Sequence, residues 1–420
     1  MSETSPQAAA APESLAALLR QRAFVLFWIS RFLTVLAIQA QGVTIAWQVY
    51  ALARRSASVG TSALLLGFIG LAQFLPLFAL SLVAGDAADR HDRRRIIMIC
   101  LGVEIVCVGA LAAMSLGGAP AFWSIFALAV VFGAGRAFFS PASTALAPGL
   151  VPPSLLPRAI AWNSLGWQGA AIAGPAVGGL LCAISPGVSY LVVGVLFAAA
   201  AAAMMLVRAR TPQVLQTASR IALMKEGLAY VWRQKIVFGS ISLDLVAVLL
   251  GGASALLPVF AKDILHVGAQ GYGLLRASPA IGAAIVAFWL GAHPIRRLAG
   301  LKMFAGVAVF GAATVVFALS HSMILSMIAL AVLGCGDMIS VFVRQSLVQI
   351  VTPDAMRGRV AAVSTLFIGA SNELGEFESG VATRLLGPIG AALFGGVGAL
   401  IATGVWAKLF PELRKADRLG

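Results

Sequence analysis

The stretch GAGRAFFSPASTALAPGLVPPSLLPRAIAWNSLGWQGAAIAGPAVGG, residues 133–179, returns in altered form as GCGDMISVFVRQSLVQIVTPDAMRGRVAAVSTLFIGASNELGEFESG, residues 334–380. Gly133, Gly135, Leu146, Pro152, Arg158, Ala161, Leu165, Gly174 and Gly179 recur as Gly334, Gly336, Leu347, Pro353, Arg359, Ala362, Leu366, Gly375 and Gly380. Each stands 201 residues after its mate (334 against 133), without a gap. The matches are sparse, but Gly, Pro and Arg are positionally demanding residues. A repeat of this size is a whole structural unit copied once. Parallel repeats of membrane helices are a transporter architecture, with substrate held near the midplane between the copies.

Composition puts both copies in lipid. The 420 residues are 60% hydrophobic and only 11% charged, with a mean hydropathy of +0.95. A soluble domain is about 45–50% apolar and about 25% charged, so this chain cannot cover itself in water. Disordered, collagenous and disulfide-scaffold classes are excluded by the same figures. A helix needs about 20 apolar residues to cross a bilayer. Twelve stretches qualify: 23–51, 61–84, 96–116, 121–147, 159–184, 188–207, 237–261, 271–291, 302–319, 322–349, 360–384 and 388–409. None alternates as a barrel strand would.

The expected fold is an all-α membrane protein, twelve transmembrane helices in two six-helix pseudo-symmetric halves, 21–207 and 237–409. A polar connection, 208–236, joins them through an amphipathic helix carrying Ile221, Leu223, Met224, Leu228, Tyr230, Val231 and Trp232. Residues 1–20 read as a short disordered tail without a cleavable signal, and 410–420 as a second tail.

The net charge of +14 is a topology signal. Arg20, Arg22, the arginines 90 and 93–95, Arg158, the linker cations, Arg296, Arg297, Lys302, Arg357, Arg359 and the C-terminal cations all fall on one side. Only Arg54, Arg55, Lys262 and Arg384 fall on the other. By the positive-inside rule the crowded side, with both termini, is cytoplasmic; the Arg54–Arg55 pair violates it locally. No soluble basic segment is long enough to bind nucleic acid. The four cysteines lie inside spans as packing residues, and no metal site or cofactor is implied. The four histidines sit at span edges or in loops, and neither H-E-x-x-H nor a P-loop occurs, so an enzyme is not expected.

The loop after span 2 carries Gly85, Asp89, Arg90, Arg93 and Arg94. A glycine allows close helix approach, an acid suits a helix N-terminus, and arginines suit carboxylates or helix-end carbonyls. Here the chain resembles the major facilitator superfamily, whose signature is G-x-x-x-D-R-x-G-R-R/K, with Asp92 replacing the second glycine. The resemblance covers the twelve spans and the duplication. It implies that Asp89 docks near the start of span 11, where Arg357 and Arg359 would be partners. Span 5 carries Gly174, Pro175, Gly178 and Gly179, a small-residue packing run that is similar to the exporters' G-P-x-x-G-G. Arg344-Gln345, Thr352-Pro353-Asp354, Arg357-Gly358-Arg359-Val360 and Ser371-Asn372-Glu373-Leu374-Gly375 resemble the efflux subgroup that includes the bacterial enterobactin exporters. The resemblance implies a monomer in the bacterial inner membrane. It would export a small, mostly apolar or amphipathic molecule such as a drug, siderophore or metabolite, in exchange for protons. An importer or uniporter is the alternative.

Charge inside a membrane is costly and defaults to function. Ten ionisable residues fall within spans: Arg31, Glu104, Arg136, Asp244, Arg276, Asp337, Arg344, Glu373, Glu376 and Glu378. The superfamily arrangement puts all but Glu104 on cavity or interface spans. Glu373 and Glu376, three apart, share a helix face; two carboxylates in one low-dielectric site cannot both ionise easily, which suits a proton carrier. Pairing with Arg344 or Arg384 as structural salt bridges is the alternative. Arg136 and Asp337 occupy equivalent repeat positions and are expected to form a switchable pair across the cavity. Glu378, Asp244 and Arg31 complete the expected proton and substrate pathway. Gln39, Gln41, Trp47, Gln48, Trp162, Trp167 and Gln168 are candidate substrate contacts.

Overall fold

The structure, a computed structural model, describes residues 15–118, 121–208, 220–293, 295 and 297–416. Among the described residues it is helical, with no strand. The long helices are α1 (Arg22–Ala53), α2 (Val59–Arg90), α3 (Arg93–Leu116), α4 (Phe122–Leu146), α5 (Leu156–Ile184) and α6 (Pro186–Met205). The second half holds α7 (Lys235–Leu250, continuing through Ala253–Val259), α8 (Gly268–Ala292), α9 (Ala299–Leu319) and α10 (Met323–Val351). A last helical run, Asp354–Leu409, spans 56 residues. At about 1.5 Å per residue that is far longer than one bilayer crossing. It is two helices: Gly387 sits at φ 74, ψ 169, which breaks the run ahead of Pro388. Hence α11 covers 354–386 and α12 covers 388–409, and twelve crossing segments result.

Several boundaries move. α2 starts at Val59 behind its Ser58 cap and runs on to Arg90, and α5 begins at Leu156 directly after the Pro152-Pro153 turn. Span 7 is not continuous. It unwinds at Gly251 and Gly252 and ends in a π turn, Phe260–Ile264. Residues 15–19, expected in a disordered tail, form a short helix with Leu18 fully buried; residues 1–14 lie outside the described residues. The connecting helix Arg220–Arg233 is present, while 209–219 and the side chains of Ile221 and Leu223 lie outside the description. Val231 is buried with Val237, Ile241, Val360 and Val363, and the Tyr230 hydroxyl donates to the Val351 carbonyl (3.0 Å), so this helix packs on the second half.

The repeated glycines explain the duplication physically. A Cβ at Gly133 would stand 2.0 Å from the Gln73 carbonyl oxygen of α2, and one at Gly334 would stand 1.9 Å from the Pro279 carbonyl oxygen of α8. Gly135 faces Glu104 of α3, and Gly336 faces Gly306 of α9. Gly174 abuts Leu36 and Gln39 of α1, and Gly375 abuts Val248 and Leu249 of α7. The last pair crosses between halves: Gly179 touches Gly273 of α8, and Gly380 touches Ala63 of α2. In three of these four pairs both mates press against the backbone of the equivalent neighbour; only Gly135, where a Cβ would lie 3.6 Å from the Glu104 side chain, is looser than its mate. In lipid there is little hydrophobic drive between helices, so backbone-to-backbone packing at small residues supplies the association.

Candidate functional site

The two halves close on each other at the end opposite the basic loops. Along α2 and α11, Gly60 approaches Arg384, Gly67 approaches Phe377, and Phe68 packs on Phe377 with ring centroids 5.1 Å apart. Along α5 and α8, Gly179 meets Gly273. Along α1 and α7, Trp47 stacks on Tyr272 of α8 (6.1 Å), and the Tyr50 hydroxyl donates to Asp263. Arg54 reaches the same carboxylate through Nε (3.3 Å) and Nη2 (3.2 Å). This is the physical reason for a basic residue on the sparsely charged side. The π turn of α7 carries the acid that Arg54 binds.

Below this closure lies a cavity of ≈ 140 Å³, enough for several waters. α2 and α11 part at Gly70, whose missing side chain leaves room for two acids: a Cβ there would lie 3.2 Å from Glu376 Oε2 and 3.4 Å from Glu373 Oε2. Arg276 Nη2 of α8 is 3.6 Å from Glu376 Oε1. Arg136 of α4 donates to Gln73 Oε1 (3.3 Å) and lies within electrostatic reach of Glu373 and of Glu104. Gln39 and Gln41 line the wall from α1, and Ser254 and Pro258 line it just past the break in α7. That break faces α11: the Ser379 hydroxyl donates to the Gly252 carbonyl (3.1 Å). Interrupted helices beside a polar site are a recurring transporter device, because unwound backbone is tolerated where it lines a cavity.

The cavity brings together Glu373, Glu376, Arg136 and Pro175 from the expected set, and adds Arg276 and Glu104. Glu104 was the one ionisable residue not expected here. It is 4% exposed, with Oε2 lacking a partner. Its signal in the sequence is Gly135, repeated as Gly336, which opens the α3 side of α4. The expected Arg136–Asp337 pair does not form. Arg136 turns to Gln73, whereas Asp337 shares the neighbourhood of Asp244 and Arg344 inside the second half. There Arg344 Nη1 lies 3.0 Å from Asp244 Oδ2, with the two side chains 3% and 8% exposed, off the hydrogen-bonding axis; Arg344 Nε has no partner. A helix presents residues every 100° or so, and the repeat fixes position along α10 without fixing which neighbour its side chain meets. Of the acids of α11, Glu376 pairs with Arg276, and among the described residues none pairs with Arg344 or Arg384. Glu378 is outside the cavity wall, beside Ser379. Arg31 lies in a separate crevice nearer the basic end. Gln48 is structural: it accepts from the Tyr190 hydroxyl and donates to Ser115 Oγ. Gln168 donates across the halves to the Ala280 carbonyl (3.0 Å).

At the basic end, Asp92 caps α3, accepting from the backbone N–H groups of Arg94 and Arg95. The departure from the signature's glycine is thus a helix cap. Arg93 donates to the Ala145 carbonyl (2.9 Å) at the end of α4, and Arg94 to the Met204 (3.2 Å) and Met205 (2.5 Å) carbonyls at the end of α6. Arg90 pairs with Asp86 (2.9 Å). Near the start of α11, Arg357 pairs with Asp354 (2.6 Å) and Arg359 with Glu226 of the connecting helix (2.7 Å).

Comparison with known proteins agrees with this architecture. A family model described as "Transmembrane secretion effector" matches residues 13–419. The enterobactin exporter EntS of Salmonella typhi is 28% identical over 387 residues, 90% of this chain and 86% of that protein. The EntS of Escherichia coli O1:K1 is 27% identical over 391 residues, with the same coverage. Among solved structures, a POT family transporter superposes with a TM-score of 0.75 at 12% identity, covering 93% of this chain and 96% of that one. A D-xylose–proton symporter superposes at 0.72 and 12% identity, covering 94% and 99%. These structural likenesses show the fold.

Proposed function

This chain belongs to the transmembrane secretion effector family of the major facilitator superfamily, and we propose that it exports a small molecule across the bacterial inner membrane in exchange for protons, as a monomer with both termini in the cytoplasm. It is a transporter and not an enzyme. The observation that carries the coupling is the charge arrangement around Gly70. Two acids of the second half, Glu373 and Glu376, stand against Arg276 and within reach of Arg136 of the first half. A proton taken up by either acid removes a charge that attracts an arginine. When the carboxylates are neutral, Arg136 is left to Gln73 and Glu104, and the attraction between the halves at this level weakens. Discharge of the proton restores it. A ligand can bias the same balance only through different affinities for the two states.

In this reading the cavity opens toward the cytoplasm, which closure at the end away from the basic loops supports. Outward transport is supported by the similarity to exporters over 90% of the chain and by Gly174, Pro175, Gly178 and Gly179, all buried where α5 meets α1 and α8. The test is proton movement in oriented proteoliposomes with an internal pH dye. Substrate-driven proton flux is expected in the native protein and lost in Glu373→Gln or Glu376→Gln. Undiminished flux in both variants would sink the coupling assignment. Accumulation of a compound in cells lacking the protein identifies what it exports; inward-only transport in the vesicles overturns the direction.

A further inference from the structure

The connecting helix Arg220–Arg233 has one face docked and the next face bare. Gly227 and Val231, four apart, are buried. A Cβ at Gly227 would stand 2.9 Å from the Arg359 carbonyl oxygen of α11, and Val231 packs with Val237 of α7 and Val360 of α11. Leu228 and Trp232 are also four apart, hence on one face, and they are 43% and 70% exposed. The Trp232 indole N–H has no acceptor among the described residues. The docked face meets the first turns of α7 and α11, so the bare face stands at the level where those spans leave lipid. A ring with an apolar body and one N–H donor is favoured at that level, among the lipid headgroups.

Three more aromatic rings continue from it. Trp232 leans on Phe238 in the first turn of α7, with ring centroids 4.8 Å apart. Phe238 lies 6.0 Å from Phe410, just past α12, and Phe410 lies 6.3 Å from Trp406 of α12. Gly239 makes room for this row, since a Cβ there would lie 2.8 Å from the Phe410 ring. Trp406 is fixed by donating from Nε1 to Ser242 Oγ (2.9 Å). The row crosses the basic ends of α7 and α12, and cations flank it. Arg233 and Lys235 bracket the turn into α7, and Arg414 and Lys415 close the short helix Pro411–Arg414 that follows Phe410. All four are exposed. Among the described residues of this patch one acid opposes them, Glu412, 3.6 Å from Lys235. At the basic end of the first half, Arg93 and Arg94 donate to the last carbonyls of α4 and α6. Arg233 and Arg414 reach no carbonyl or carboxylate among the described residues, so both are available to an anion from outside the chain.

Cations beside an aromatic row at a membrane surface match an anionic phospholipid. Arginine and lysine take the phosphate, the indole N–H takes a phosphate or ester oxygen, and the rings lie against the upper acyl chain. We propose that Trp232, Arg233, Lys235 and Arg414 form a docking site for an anionic phospholipid from the leaflet at the basic end. The occupant is a lipid and not a soluble phosphate because the patch is continuous with the lipid-facing surface. Leu228, Trp232 and Leu409, the last of these 65% exposed at the end of α12, would stay bare around a small ion. A lipid seated here touches the connecting helix, α7 and the segment after α12 together. It thereby fastens the link between the halves to the second half, beside the ion pair of Glu226 with Arg359. This contact is independent of what the protein moves and of how its transport is driven.

The test reads tryptophan quenching in the full chain, reconstituted in vesicles of equal parts phosphatidylglycerol and phosphatidylcholine with one lipid or the other brominated on its acyl chain. The Trp232 signal is the difference between the native protein and Trp232→Phe. Brominated phosphatidylglycerol should quench it several-fold more than brominated phosphatidylcholine, since each cation near an anionic surface is worth about 5-fold. Arg233→Gln combined with Lys235→Gln should erase that preference. Glu412→Ala, which releases Lys235, should enlarge it. The preference is a ratio within one variant, so partial misfolding cannot mimic these opposite shifts. A second readout needs no tryptophan substitution. Phosphatidylglycerol added to the detergent-purified chain should raise its melting temperature more than phosphatidylcholine does, and the double variant should lose the difference. Excess soluble glycerol phosphate should alter neither readout. Equal quenching by the two lipids, an intact preference in the double variant, or displacement by glycerol phosphate each overturns the proposal. Absence of Trp232 quenching by either lipid also overturns it, and would assign this face to water or to a protein partner.

Discussion

The first and second halves share a skeleton and differ in charge. Gly133 and Gly334 press α4 and α10 against α2 and α8 at the same depth, to within a tenth of an ångström in the contact a Cβ would make. Three residues on, Arg136 and Asp337 diverge. Arg136 opens onto the cavity between the halves, whereas Asp337 is drawn into a buried cluster with Arg344 and Asp244. At the neighbouring α3 and α9 contacts the first half holds Glu104 where the second holds Gly306. Helix packing in lipid tolerates only small residues at close crossings, so both copies must keep them. Charge placement has no such constraint, and one half is free to face the cavity while the other ties its charges internally.

The shared skeleton breaks most severely at the glycines. Gly133→Leu and Gly334→Leu each force a side chain into a carbonyl group and should cost more than ~3 kcal/mol. Neither variant should elute as a monodisperse peak in detergent chromatography; normal behaviour of one alone would show that the halves are not packed alike. The unlike charges should respond in opposite ways. Arg344→Met strands Asp244 in a buried site and should cost about 3–5 kcal/mol in thermal unfolding, largely recovered in the Arg344→Met, Asp244→Leu double variant. Arg136→Met, from a half-exposed site with one 3.3 Å hydrogen bond, should lower stability by under ~1 kcal/mol and yet abolish transport. A large melting-temperature loss there would place Arg136 in the scaffold. A smaller effect belongs to the closure. Asp263→Asn weakens its contacts with Tyr50 and Arg54 by about 1–2 kcal/mol. A cysteine at buried Ser62 should then react several-fold faster with an impermeant maleimide added from the α1–α2 loop side. Smallest of all, Glu412→Ala removes the exposed Lys235 pair (3.6 Å) and should shift stability by no more than ~0.5 kcal/mol.

Much of the architecture is legible in the residues. Hydropathy marks the spans because lipid admits nothing else for about 20 residues at a time. The offset repeat marks the halves because close crossings demand Gly at fixed places. Asp92 is legible as a helix cap once the signature's glycine is seen to be replaced by an N-cap residue. The acids of α11 are legible as a pair from their i, i+3 spacing. What cannot be read is which arginine meets them. Arg276, Arg344 and Arg384 are equally plausible in one dimension. Only the tertiary arrangement brings Arg276 of α8 to Glu376, and only the turn of α10 sends Arg344 to Asp244.

The sequence alone determined the solvent, the number of crossings, the duplication and the charged end, because each follows from local composition or a fixed spacing. Tertiary structure decided the partners: Arg54 with Asp263, Arg136 with Gln73 near Glu104 and Glu373, and Arg31 with no partner among the described residues. A buried charge is judged by what surrounds it in three dimensions. Helix rotation and inter-half crossing set those surroundings, and neither is written in the order of residues along one helix.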